Sequence, residues 1–371
     1  MTIPSLISAD SHIVEAPDIW TARMPAKFKD RAPRMERMEQ GDAWVFPNTP
    51  PFPFGLVQCG GLPPEEYRMW IRWEEVRPEA HEQKARIAGQ DKAGCKAEIM
   101  YPSPRIAIAL HAQDGDREYH VAAIRAYNDW LSEYCAAAPD RFVGLALAPS
   151  GGDVGESVKE VERALKLPGI KGVQINKYPT TGQRLSRDDD PLFKLCVDYG
   201  VSANIHVGLA QSESGMPKQA NEFTGAFTGC FRFYDPPIRM SEMIYTGLLD
   251  RFPTLQVMWA EVDVGWVGYL MEQLDDRIAR QNPANRVKLA KKPSDYFREN
   301  FHYTVVKDAY GIRNRDMVGA ARIHWSSDFP HATCDYPDYA GGIAHDFKGV
   351  PEGELRLMLK DNAAKLYGLA S

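Results

Sequence analysis

Eight short apolar runs, separated by longer amphipathic stretches, constrain this chain more than any other feature. The runs are residues 5–10, Ala97–Pro102, Phe142–Ala148, Gly172–Asn176, Ser202–Val207, Leu255–Glu261, Tyr303–Val306 and Ile323–Ser327. Helix-like segments lie between and after them, at 115–138, 153–166, 190–199, 236–249, 264–281, 308–320 and 352–367. The runs are apolar on both faces, as parallel strands covered by helices should be. Most are followed by a helix, so the pattern predicts a (β/α)₈ barrel, one domain spanning residues 1–371. No close internal repeat accompanies the alternation, and a doubly wound open sheet is the alternative architecture.

Two segments interrupt the rhythm. Residues 13–80 are rich in Pro, Trp and Phe, as in Trp44-Val45-Phe46-Pro47, Pro50-Pro51-Phe52-Pro53-Phe54-Gly55 and Met69-Trp70-Ile71-Arg72-Trp73. A connection that long is rarely empty in a compact domain. It is expected to be a structured insertion, or a dimer contact, that also walls the barrel mouth, with Trp44 and Phe54 as substrate-facing candidates. Gly208–Asp235 is expected to be a long loop on the catalytic face, and Lys360–Leu369 a closing helix.

Composition excludes several classes. With 371 residues, 44% of them hydrophobic and 25% charged, the chain can bury a substantial core. A net charge of −6 gives no support to nucleic-acid or anionic-membrane binding. No apolar run reaches membrane-spanning length, and a strand begins almost at once, leaving no room for a signal peptide. Six scattered cysteines without a Cys-x-x-Cys pair fit a reduced, cytoplasmic protein. No Gly-x-Ser-x-Gly elbow or phosphate-cradling glycine loop occurs.

Chemistry in such a barrel collects at the C-terminal ends of the strands. The first strand ends in Asp10-Ser11-His12, whose outer two residues share one side of the strand. An oxygen and a nitrogen donor there can grip one divalent cation. The fifth strand ends in His206, the sixth in Glu261 with Asp263 beyond, and the eighth in Asp328 with His331 three residues on. Four strand ends carrying His or carboxylate at one rim predict a metal site.

This set of motifs resembles the amidohydrolase superfamily, in the amidohydrolase-related branch that includes aminocarboxymuconate-semialdehyde and γ-resorcylate decarboxylases. The resemblance spans nearly the whole chain. It is carried by Ala9-Asp10-Ser11-His12, Asn204-Ile205-His206, Phe252-Pro253-Thr254-Leu255, Ser327-Asp328-Phe329-Pro330-His331 and Asn362-Ala363-Ala364-Lys365-Leu366-Tyr367-Gly368. It implies that Asp10, His12, His206 and Asp328 ligate a metal, with Asp10 standing where many relatives place His or Glu. It also implies a homodimer. The departure is Glu261, because the family's decarboxylases end the sixth strand in His.

A carboxylate at position 261 can bridge two cations, with His331 or Asp263 completing a second site. Lys177, at the end of the fourth strand, is the candidate for a carbamylated bridge, although a lysine turned to solvent explains it more simply. One or two divalent ions (Zn, Fe or Mn) are therefore expected. On this reading the enzyme is a hydrolase. Metal-activated water would cleave an ester, thioester or amide of a hydrophobic acyl or ring-containing small molecule, with Asp328 taking the proton. Arg105 could hold a substrate carboxylate or phosphate, as could a surface salt bridge explain it. The alternatives are non-oxidative decarboxylation of an aromatic or unsaturated acid, and a non-catalytic binding barrel.

Overall fold

The computed structural model describes residues 3–207, 234–285 and 287–370, with residues 281–285 described in backbone only. The expected loop at Gly208–Asp235 lies almost wholly outside the described residues. Eight parallel strands form the central sheet: β1 (Leu6–Ile13), β5 (Cys95–Pro102), β6 (Phe142–Leu147), β7 (Ile170–Gln174), β8 (Ala203–His206), β9 (Val257–Ala260), β10 (Phe301–Val305) and β11 (Ile323–Trp325), in that spatial order. Each of the seven neighbouring pairs in this order is parallel.

Backbone hydrogen bonds draw the first and last strands together. Asp328 N donates to the Asp10 carbonyl (3.1 Å) and His12 N to the Phe329 carbonyl (2.7 Å), just beyond β11. The expected (β/α)₈ barrel is thus the observed architecture. Strand β1 carries a register irregularity against β5 between Ser8 and Ser11. Three steps on β1 there match two on β5, and a bulge of this kind re-aims the side chains beside it.

The interior of the barrel is a small cluster of its own. Ile7, Ala9, Ala97, Ile99, Tyr101, Val143, Leu145, Met258 and Ala260 point inward and meet Ala363, Ala364 and Tyr367 from the chain's end. The C-terminal helical turns thus plug the barrel floor, and the Tyr367 hydroxyl donates to Asn204 Oδ1 at 2.6 Å. The closing helix expected at the end is present: Glu352–Arg356 runs through a π-helical turn, Leu357–Asp361, into Asn362–Leu366.

The insertion after β1 builds an antiparallel sheet, β2 (Arg34–Arg37), β3 (Asp42–Phe46) and β4 (Thr49–Phe52). Its aromatic residues form a core. Trp20 meets Trp44 edge-on at 5.3 Å and donates its indole N–H to the Ala123 carbonyl, docking the insertion on helix Arg117–Ala136. Trp44 is 1% exposed and Phe54 4%. Both therefore belong to the hydrophobic core, which corrects the expectation that they face substrate. The insertion still reaches the barrel mouth by another route: Gly60 N donates to the Pro330 carbonyl (2.7 Å) and Tyr67 Oη to the Ala332 carbonyl (3.3 Å). No helix among the described residues is long and apolar enough to cross a membrane.

Candidate metal centre

The strand ends bring six sequence-predicted residues together. Asp10, His12 and Asp328 are almost fully buried, while His206, Glu261 and His331 keep a little exposure. His12 Nε2 lies 3.6 Å from Asp10 Oδ1 and 3.3 Å from Asp328 Oδ1. His206 Nε2 lies 3.7 Å from Asp10 Oδ2 and 3.3 Å from Glu261 Oε2. His331 Nδ1 lies 2.9 Å from Asp328 Oδ1, and its ring stacks on His12 with centroids 3.9 Å apart.

The donors match the needs of a divalent cation. His12 Nδ1 donates to the Pro102 carbonyl at 2.9 Å, so the neutral ring carries its lone pair on Nε2, facing the cluster. His12 Nε2 and His206 Nε2 are buried and make no hydrogen bond. A buried, unsatisfied imidazole nitrogen is costly unless an ion supplies its partner. Burial first, and His331 second, push His12 down to about 4; burial and His12 hold His206 well below its ordinary value. Both rings are therefore neutral and able to ligate at pH 7. Burial alone would raise the Asp328 carboxyl, but His331 and His12 beside it hold it well below the usual carboxylate range. Two imidazoles and two carboxylates form a mixed N/O set suited to Zn²⁺, Mn²⁺ or Fe²⁺.

Among the described residues, two groupings have metal-ligand spacing: Asp10 with His12 and His206, and His12 with Asp328 and His331. Both need His12, which has only Nε2 to give. The two groupings therefore overlap at His12.

Backbone strain marks the same rim. Asp328 (φ 55°), Glu261 (φ 59°) and Asp263 (φ 54°) occupy the left-handed region without being glycine. Such strain persists only where surrounding bonds over-determine it, and it clusters at functional sites. Here Thr304 Oγ1 accepts from Glu261 N (2.7 Å), and Asp263 Oδ1 accepts from Val306 N (3.1 Å). One Asp263 oxygen is thus engaged by the backbone after β10. Lys177 is corrected. Its ammonium donates to the His111 carbonyl (3.0 Å) and pairs with Asp114 (3.1 Å), so it is not a carbamylated bridge. Arg105 sits exposed on the first turn of helix Pro104–His111.

Sequence reasoning missed the groups that surround these ligands. Thr333 Oγ1 donates to Asp328 Oδ2, and Glu15, pushed up to about 7 by burial, accepts from Ser103 N at 2.8 Å. A buried Arg86–Glu98 pair lies behind β1. No motif spacing announces these residues.

Known proteins bear out the fold. An amidohydrolase of Mycobacterium avium subsp. paratuberculosis superposes with a TM-score of 0.78 over 100% of this chain and 99% of its own, at 22% identity. The 5-carboxyvanillate decarboxylase of Novosphingobium aromaticivorans, solved with manganese and 4-hydroxy-3-methoxy-5-nitrobenzoic acid, gives 0.68 over 99% and 96% at 19% identity. By sequence, the γ-resorcylate decarboxylase of Rhizobium sp. (strain MTP-10005) is 24% identical over 301 residues, 76% of this chain and 86% of its own. The Rhodococcus jostii enzyme of the same name is 22% identical over 270 residues, 68% and 79%. Where these relatives carry a specific activity in their names, that activity is decarboxylation, which overturns the expected ester, thioester or amide hydrolysis. The profile described as Amidohydrolase matches residues 44–369, and with the barrel and its rim of carboxylates and imidazoles this places the chain in the amidohydrolase family.

Proposed function

We propose that this enzyme is a divalent-metal-dependent, non-oxidative decarboxylase of an aromatic carboxylic acid. The observation that carries the reading is the Asp328 carboxylate, set between His12 and His331 at the rim where Asp10 and His206 converge. The curated relatives named decarboxylases support the choice of reaction.

Asp10, His12, His206 and Asp328 would hold a single cation, His12 through Nε2. When bound, the cation supplies positive charge that anchors the substrate's oxygens and draws electron density from the ring. The remaining chemistry falls to the chain. Loss of CO₂ requires a proton at the ring carbon that bore the carboxylate; the C–C bond breaks and its electron pair forms the new C–H bond. His331 Nδ1 and Asp328 Oδ1, 2.9 Å apart, form the path along which that proton is held and delivered. Glu261 Oε2, 3.3 Å from His206 Nε2 and slightly exposed, is placed to accept a hydrogen bond from a substrate hydroxyl. Burial of Asp10 and Asp328 keeps bulk water away from the charges that steer the proton.

The test is CO₂ release from a panel of hydroxylated benzoates, run beside aryl esters and thioesters, with metal-depleted and Mn²⁺-reloaded protein. Metal-dependent CO₂ release is expected, at one metal per chain. Ester cleavage without CO₂ release from any acid in the panel would overturn the reading.

A further inference from the structure

Behind the candidate metal ligands lies a buried ion pair that the proposed chemistry does not use. Glu98 on β5 and Arg86 on helix Gln83–Ala93 are 2% and 1% exposed. Arg86 Nε donates to Glu98 Oε2 at 2.7 Å and Nη2 to Oε1 at 3.1 Å, while Gln90 Nε2 adds a third bond at 2.6 Å. Taking two charges out of water is costly, and a well-packed apolar pair would fill the same space at least as cheaply. What an apolar pair lacks is directed hydrogen bonds, and these run to both halves of the site.

One arm passes through Ser11, the residue between Asp10 and His12. Its hydroxyl lies 3.3 Å from Glu98 Oε1, 2.9 Å from Ser8 Oγ and 3.1 Å from Ser327 Oγ. The Ser11 proton is shared between Ser8 Oγ and Glu98 Oε1 as acceptors, and Ser8 donates to the Asp10 carbonyl at 2.8 Å. The remaining lone pairs accept Ser327 N (2.8 Å, at Ser8 Oγ) and Phe329 N (3.2 Å, at Ser327 Oγ). The second arm is Arg86 itself. Its Nη2 donates to the Phe329 carbonyl at 3.4 Å, and its guanidinium sits 4.4 Å from the Phe329 ring centre. That carbonyl also accepts His12 N, and Phe329 directly follows the strained Asp328.

We propose that Arg86 and Glu98, acting through Ser11 and Phe329, are positioning residues that set the separation between the Asp10–His12 strand end and the Asp328 turn. Network partners of this kind fix ligand geometry without touching the ion. The inference rests on reading the cluster as a metal site.

Mn²⁺ titrated into metal-free protein tests it, with thermal unfolding and steady-state decarboxylation as companion readouts. Ser11→Ala removes one hydroxyl from one arm; it should keep the melting temperature, weaken Mn²⁺ binding about tenfold, and lower kcat with little change in KM. The apolar double variant Arg86→Met/Glu98→Leu should fold and bind Mn²⁺ about 10–100-fold more weakly. Wild-type Mn²⁺ affinity in both variants would overturn the positioning role. If the double variant does not fold, Ser11→Ala decides alone. A wild-type protein that binds no Mn²⁺ would instead overturn the metal-site reading, and this inference with it.

Discussion

Asp328 combines three demands in one side chain: it is buried, its backbone is in the left-handed region, and it lies within 3.3 Å of two imidazoles. Asparagine keeps the shape and tolerates that backbone. It removes the charge and the proton-carrying oxygen. Asp328→Asn should therefore leave the melting temperature near wild type and lower CO₂ release by about 10²–10⁴-fold; near-normal turnover would remove Asp328 from the proton path. Lys177→Met makes the opposite claim. Because Lys177 is committed to Asp114 and the His111 carbonyl, metal analysis of the variant should show an unchanged metal-to-chain ratio. Two ions per chain in the wild type falling to one in the variant would restore the bridging role. The convergence of the candidate ligands was legible in the sequence because a barrel puts chemistry at strand ends, and Asp10, His12, His206 and Asp328 all close apolar runs. Arg86 and Glu98 were not legible, since a charged residue in sequence reads as solvent-facing until its buried partner is known.

At the scale of elements, the same logic explains why helix Gln83–Ala93 escaped the reading of apolar periodicity. The residues it buries include Arg86 and Gln90, so its inward face is polar. The sheet β2–β4 escaped because its strands are short and β4, Thr49-Pro50-Pro51-Phe52, carries two prolines. The aromatic richness of the insertion was visible, but aromatic residues suit a core as well as a substrate wall, and Trp44 and Phe54 took the core. The link from the insertion to the site is a glycine that no pattern flagged. A Cβ on Gly60 would stand 3.1 Å from both the Pro330 and His331 carbonyl oxygens, which are backbone and cannot swing aside. Gly60→Ala should push the loop carrying His331 away from Asp328. We expect kcat to fall about tenfold or more and Mn²⁺ binding to weaken, with secondary structure intact by circular dichroism. A variant with wild-type kcat and Mn²⁺ affinity would show that the insertion does not brace the site.

For the whole molecule, the opposite end of the barrel carries a second histidine cluster whose consequence is stability. His302 on β10 and His324 on β11 share a 2.8 Å hydrogen bond, with Gln256 and Arg322 on the other edge of His302. Burial first, and Arg322 second, push His324 down to about 3; burial, His324 and Arg322 hold His302 well below its ordinary value. Either ring, once protonated, would set a new charge beside the Arg322 guanidinium. In the unfolded chain the same imidazole takes its proton near pH 6.5. Below that pH the unfolded state binds a proton that the folded state refuses, so stability falls as pH falls, until His324 titrates in the fold near 3. At pH 5 the gap is about 1.5 pH units, which costs about 2 kcal/mol from His324 alone. His120, pushed down to about 4 chiefly by burial, adds to the same slope. Replacing His324 with Gln keeps a hydrogen-bonding partner for His302 and removes the titration. Urea unfolding of wild type and His324→Gln at pH 7.5 and pH 5 isolates the effect. The variant should lose about 2 kcal/mol less than wild type between the two conditions, whatever its stability at pH 7.5. An identical loss in both proteins would show that His324 does not contribute to acid sensitivity.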